Sequence, residues 1–284
     1  MDLHSVESYL RPTDLEEVKN WQPGWTWVAG GTWVFSELQP QINTLVDMQG
    51  LEWSELEVTP FGLFEQSLPM KIAITIGATC VMNRLLQFSY PENWTAVKAL
   101  QSAVHELASF KVQNVATVAG NLCLALPAST FAPVMVALGA SYEILPLEGM
   151  PYWVGALDFQ TGAKQTILKP GEVLRKISIP QAFLEWRVNY QRICVATAGL
   201  AVSIVVALYN TQTSQLRFGI GACVSAPRLI EFAHVPSTTE LAEALDAKIH
   251  LRDFLNDASA SAVYRRYVTK VLMERSLQQA INHS

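Results

Sequence analysis

Apolar residues recur at every second position in one stretch, Ile72, Ile74 and Ile76, and at every third or fourth in another, Ala96, Val97, Leu100, Ala103, Val104, Leu107 and Ala108. The first spacing predicts a strand with one buried face and the second an amphipathic helix over 95–110. Upstream, "TWVAGG" alternates like a strand that runs into glycines, and "NTLVDMQG" (43–50) reads as a second short strand with a turn. Thr13 with Glu16 three positions on forms a capping box for a short helix, and Thr79 is placed to cap a helix carrying Val81, Leu85 and Phe88. Thr130 is placed to cap the helix "FAPVMVALG", "SYEILPL" returns as a strand, and "KPGEVLRKISIP" closes a lobe. From about 186 two long strands, "ATAGLAVSIVVAL" and "SQLRFGIGACVSA", are joined across "YNTQTS" as an antiparallel pair. In the helical tail, Val263, Tyr267 and Val271 beside Tyr264, Val268 and Leu272 form one apolar stripe, read as facing the core. An α+β protein results, with lobes at about 1–55 and 60–181 and a C-terminal part over 182–284.

Composition narrows the function. Half of the 284 residues are hydrophobic and 16% are charged. That charge fraction is low against a typical value of about 25% and predicts a surface covered by a partner subunit. The net charge of −5, with no basic cluster interleaved with aromatics, excludes nucleic acid. Cys80, Cys123, Cys194 and Cys223 lie too far apart in sequence for a zinc or iron–sulfur motif and read as buried thiols in a reducing compartment. The acidic start "MDLHSVESYL" does not resemble a secretory signal, and the apolar run "AGLAVSIVVALY" is shorter than the roughly 20 residues of a membrane span, so a cytoplasmic location without a membrane span is expected. No nucleophile, general base or metal site stands out; His105 has no carboxylate or cysteine nearby in sequence and reads as solvated.

Two segments place small uncharged residues where a regular element passes into a turn: "VAGGTW" (28–33) and "VATVAGN" (115–121). Small residues let a ligand reach backbone N–H groups, and consecutive N–H groups cradle phosphate oxygens without any lysine or arginine. Thr32, Thr117 and Asn121 add neutral hydrogen bonds. Neither segment has the spacing of a Rossmann fingerprint or a P-loop. Of the clustered Trp21, Trp25, Trp27 and Trp33, three read as packing, while Trp33, directly after the glycines, is the one placed to stack on a ring.

Taken in order, "AGGT", "NVATVAGNLCLALPASTFAP" and "GEVLRKISIP", followed by "GIGACVSAPRL" and "YRRYVTKVL", resemble the FAD-binding subunit of the molybdenum hydroxylases, the xanthine dehydrogenase and carbon monoxide dehydrogenase group. The resemblance implies a two-lobed FAD-binding domain of the PCMH type over 1–181 and a C-terminal flavoprotein domain over 182–284. It also implies that the FAD diphosphate lies between Val28, Ala29, Gly30, Gly31, Thr32, Trp33, Val34 and Phe35 on one side and Thr117, Val118, Ala119, Gly120 and Asn121 on the other. Thr130 takes the place of an aspartate that contacts the ribose or adenine side, Leu174 touches the flavin by its backbone, and Arg187, or else Arg192, supplies a basic residue near it. The implied partners are a molybdenum-cofactor subunit and a 2Fe-2S iron–sulfur subunit, and the implied role is electron transfer to an acceptor such as NAD+, oxygen or a quinone-like carrier. Three positions depart from the family pattern: Gln113 stands for an arginine, Ala119 for a glycine and Thr130 for the aspartate. Ala119 is harmless if its φ is negative and strained if it is positive. A flavin-free scaffold subunit and a stand-alone flavoprotein oxidase are the two alternative readings.

Overall fold

The computed structural model describes residues 3–61, 71–107, 109–196 and 199–282, and the side chains of 60, 61, 71 and 72 are not among those described. Ala108 and the Ile72 side chain therefore lie outside the described residues. The chain opens with three short strands, β1 (Ser8–Leu10), β2 (Trp25–Val28) and β3 (Thr44–Asp47), in the order β1-β3-β2 with both pairs parallel. A single 3-10 turn, Leu15–Val18, precedes β2. Its capping box sits one residue later than Thr13 and Glu16: Asp14 Oδ1 accepts from the Glu16 amide at 2.9 Å, and Glu17 Oε1 accepts from the amides of Thr13 and Asp14 at 2.7 and 3.0 Å. A carboxylate at Asp14 outcompetes the neighbouring hydroxyl as N-terminal acceptor.

The central sheet takes β4 (Leu56–Phe61), β5 (Lys71–Gly77), β6 (Ser141–Leu145) and β7 (Tyr152–Gly155), and it is completed, after the small hairpin β8 (Gln160–Gly162) and β9 (Gln165–Thr166), by β10 (Val173–Pro180). The order is β4-β5-β10-β6-β7, antiparallel throughout. Ile74 and Ile76 are fully buried as expected, but Ala73 and Thr75 between them are buried too, so β5 has two covered faces rather than one. Between β5 and β6 run α1 (Arg84–Gln87), α2 (Val97–His105), α3 (Phe110–Gln113), α4 (Val118–Leu124) and α5 (Phe131–Ala137); α6 (Ala156–Phe159) and α7 (Gln181–Leu184) follow. Thr79 caps no helix. Val81 is bridged to Thr117, which keeps the chain extended, so α1 begins only at Arg84, and the buried Thr79 hydroxyl has no partner among the described residues. Nor does Thr130 cap α5: it already has a helical φ of −76°, and Ser129 Oγ accepts from the Ala132 amide instead, at 3.2 Å.

Four antiparallel strands, not two, form the C-terminal sheet: β11 (Arg187–Cys194), β12 (Ala201–Tyr209), β13 (Leu216–Gly221) and β14 (Arg228–Phe232), in that order. α8 (Thr238–Lys248) and α9 (Ala262–Asn282) cover one face. The two-residue period of β12 joins two cores. Ile204, Val206 and Leu208 belong to the core shared with α2 and α5, while Val205 and Ala207 pack with Leu272 and Met273 of α9. α5 is buried at every position, and Gly219 leaves no room for a side chain against the Pro133 carbonyl, so helix and sheet meet at backbone distance.

The face of α9 turned to the core differs from the expected stripe. Val263 is 66% exposed and Tyr267 64%, and Tyr264 is exposed as well. The buried face carries Arg265, Val268, Thr269, Leu272, Met273, Ser276, Leu277 and Ala280. Arg265 can be buried because Asp257, just before the helix, accepts from its Nη2 with both carboxylate oxygens at 2.8 Å, and the Val202 and Ala222 carbonyls take Nη1 at 2.7 and 3.0 Å.

Candidate FAD-binding site

The two glycine-bearing segments, some ninety residues apart in sequence, touch. A Cβ on Gly30 would collide with the Val115 carbonyl oxygen and lie 3.1 Å from Ala116 Cα. Gly31 has φ +69°, a conformation that glycine adopts without strain. The turn is held from outside: Gly31 O accepts from the Phe35 amide at 3.0 Å, Trp33 O from the Ser36 amide at 3.0 Å and hydroxyl at 2.8 Å, and Ala29 O from Gln49 Nε2 at 2.9 Å. With these carbonyls engaged, the amides of Gly30, Gly31, Thr32, Trp33 and Val34 have no acceptor among the described residues. Val28 is buried at the end of β2, Ala29 to Val34 are half-buried, and Phe35 is exposed.

Thr117 is the N-cap of α4. Its Oγ1 accepts from the Gly120 amide at 3.0 Å and its carbonyl from the Asn121 amide at 3.1 Å, while the amides of Val118 and Ala119 have no acceptor among the described residues. Ala119 lies within this helix and is absent from the positive-φ positions, so its methyl group is accommodated without strain and its departure from glycine is harmless. Asn121 Oδ1 accepts from the Ser129 hydroxyl at 2.6 Å, which leaves the Asn121 NH2 as the outward donor. Gln113, where the family carries arginine, is buried and donates to the Val104 carbonyl at 3.0 Å.

Other predicted positions separate into two groups. Leu174 pairs with Ile144 of β6, whereas the pairing of β10 with β5 begins only at Lys176, so on that side the Leu174 backbone lies outside the ladder. The neighbouring turn is tied to the N-terminal lobe by Trp27 Nε1, which donates to the Gly171 carbonyl at 3.2 Å, with Trp21 stacked 4.8 Å from Trp27. Thr130 is turned inward: it is 3% exposed and its hydroxyl donates to Ala103 O at 2.9 Å. Arg187 Nη1 donates to the Ile281 carbonyl near the end of α9, 3.4 Å away. Arg192 reaches from the C-terminal sheet to the end of α2. It pairs with Glu106 after α2 at 2.6 Å and donates to the Gly199 carbonyl, and its buried Nε has no partner among the described residues.

Sequence reading missed Gln49, Ser129 and Lys164. Lys164 Nζ stands 5.2 Å from the centre of the Trp33 ring, bringing one cation to a cradle that has no basic residue of its own. Its signal was its place in a hairpin turn at φ +57°, which only the folded chain displays. Of the four cysteines expected to be buried, Cys80 and Cys223 are, while Cys123 and Cys194 are half-buried; burial pushes the Cys80 thiol up to about 11 and the Cys123 thiol up to about 12. Among the described residues no group of His, Cys, Asp and Glu could hold a metal ion, and no helix is long and apolar enough to cross a membrane. Bare backbone N–H groups from two segments and one residue that tolerates no side chain fit a dinucleotide lying between the two loops.

The chain is similar to known proteins in sequence and in fold. Residues 4–182 match the family model described as the FAD binding domain in molybdopterin dehydrogenase. The chain is 26% identical over 231 residues to xanthine dehydrogenase/oxidase of Gallus gallus, covering 74% of this chain and 16% of that protein. It is 26% identical over 185 residues to the carbon monoxide dehydrogenase medium chain of Afipia carboxidovorans, covering 61% of this chain and 63% of that one. It thus spans a small part of the first relative and under two thirds of the second. A chain of reconstituted CO dehydrogenase from Oligotropha carboxidovorans superimposes with a TM-score of 0.80 at 20% identity over 100% of both chains. A chain of quinoline 2-oxidoreductase from Pseudomonas putida 86 does so with a TM-score of 0.77, also at 20% identity, over 99% of this chain and 98% of that one. These likenesses bear out the α+β fold. With the family model running over well more than half of its length, this chain belongs to the FAD-binding domain family of the molybdopterin dehydrogenases, and its cofactor is FAD.

Proposed function

We propose that this chain is the flavin-carrying electron-transfer subunit of a molybdenum hydroxylase complex. It would take electrons from the 2Fe-2S clusters of a partner, which receives them from a molybdenum-cofactor subunit, and pass them to NAD+, oxygen or a quinone-like carrier. The observation that carries the reading is the pair of touching loops whose amides at Gly30 to Val34 and at Val118 and Ala119 have no acceptor among the described residues. Bound FAD supplies the chemistry, accepting electrons singly or in pairs. The chain's own residues do the rest. The amides bind the diphosphate, Thr117 holds the start of α4 in place, Asn121 donates from the α4 side, and the backbone at Leu174 and the guanidinium of Arg192 approach the flavin. The widely spaced cysteines support placing the clusters outside this segment. Residues 1–181 form the cofactor-binding part in this reading, and 182–284 close over it, in a cytoplasmic complex.

The test is reconstitution with the iron–sulfur and molybdenum subunits. Reduction of the clusters by substrate should bleach the flavin absorbance of this chain, and added acceptor should restore it. A flavin that stays oxidised beside reduced clusters would contradict the proposal.

A further inference from the structure

We propose that Gln49 is a positioning residue for the diphosphate cradle. The inference rests on the FAD reading above. Its side chain donates to the Ala29 carbonyl at 2.9 Å. A trans peptide is planar, with its C=O and N–H pointing in opposite directions. Holding Ala29 O therefore turns the Gly30 N–H away from Gln49, and that N–H is one of the amides that have no acceptor among the described residues. The restraint matters at this peptide because two glycines follow it, and glycine lets such a peptide rotate with little resistance.

Gln49 is itself held in place. It lies in the 3-10 turn Met48–Leu51, where its amide donates to Asp47 Oδ1 at 2.9 Å. Asp47 Oδ2 accepts from the Tyr9 hydroxyl, and Arg11 Nε lies 3.9 Å from the same carboxylate. Val28 pairs with Asp47 across β2 and β3, so the turn that carries Gln49 and the loop that carries Gly30 leave adjacent strands side by side. A side chain two residues beyond Asp47 is thereby aimed at the peptide two residues beyond Val28.

The test titrates the full-length apoprotein with FAD between pH 5 and pH 8, following flavin fluorescence, for wild type, Gln49→Leu and Gln49→Glu, with Tm recorded for each. Leucine removes the donor at every pH and should weaken FAD binding about threefold to tenfold throughout. Glutamate beside Asp47 is an acceptor that repels Ala29 O when ionised and a donor when protonated. A glutamate ordinarily titrates at about 4.3 and the Asp47 carboxylate beside it raises that value, so its loss relative to wild type should be largest at pH 8 and begin to shrink as pH approaches 5. Wild-type affinity in both variants, or equal and pH-independent losses accompanied by a lower Tm, would overturn the proposal. A wild-type chain that takes up no FAD at all would overturn the cofactor reading and this inference with it.

Discussion

The α-carbon of Gly30 lies against the carbonyl oxygen of Val115, with no space for a side chain between them. This contact brings two distant segments into one cradle, and neither partner can yield, because both sides are backbone. Gly30→Val should therefore reduce the FAD retained after desalting to a small fraction of the wild-type amount, while costing about 1–3 kcal/mol of stability. Gly120→Ala is the contrast. Its Cβ would meet only the Thr117 hydroxyl, at 2.9 Å, so flavin content should fall partially.

Arg192, not Arg187, should prove to be the arginine that matters for the cofactor. Arg192→Ala is expected to weaken FAD binding about tenfold, the scale of a lost charge-assisted hydrogen bond. Arg187→Ala, which removes a contact to Ile281 O at the far end of α9, should leave the dissociation constant within about twofold. Fluorescence titration of both variants decides the point.

Asp257 governs part of the acid limit of stability. Burial raises its pKa, but hydrogen bonds from Arg265 and from the Ser259 and Ala260 amides outweigh it, and the net shift is downward. A lowered folded pKa means that the contribution is complete above the unfolded value of about 3.9 and is lost as pH falls through the lower folded value. Urea unfolding should show Asp257→Asn to be destabilised by about 1–3 kcal/mol at pH 7, because the buried Arg265 guanidinium loses the charge of its half-exposed partner. The difference from wild type should shrink at the acid end.

The two faces of α9 should respond differently. Tyr267→Ser, on the exposed face, is expected to change stability by less than about 0.5 kcal/mol. Met273→Ala, fully buried between α9 and the C-terminal sheet, should cost about 2–5 kcal/mol. Thermal melts of the two variants measure both.

Much of this was legible because the local signals were one-sided. β5 and α2 announce themselves by period, and the glycine pairs mark the turns that become the cradle. α9 misled because its buried face includes Arg265 and Thr269, polar residues made tolerable by Asp257, Ser203 and backbone carbonyls that no helical wheel contains, and also Ser276, whose hydroxyl has no partner among the described residues. β11 was silent because all eight of its residues are half-buried, with α2 and α9 both packed on it, so neither face stands out. The orientations of Gln49 and Lys164 depend on tertiary contacts, to Ala29 and Trp33, and the family pattern that led to the loops carried no information about them.

The most direct measurement is the visible absorption spectrum of the purified chain, with identification of whatever cofactor denaturation releases. The structure predicts the bands of an oxidised flavin and the release of FAD in stoichiometric amount. A chain that remains colourless after incubation with excess FAD would contradict the account, and would leave a flavin-free scaffold in place of an electron carrier.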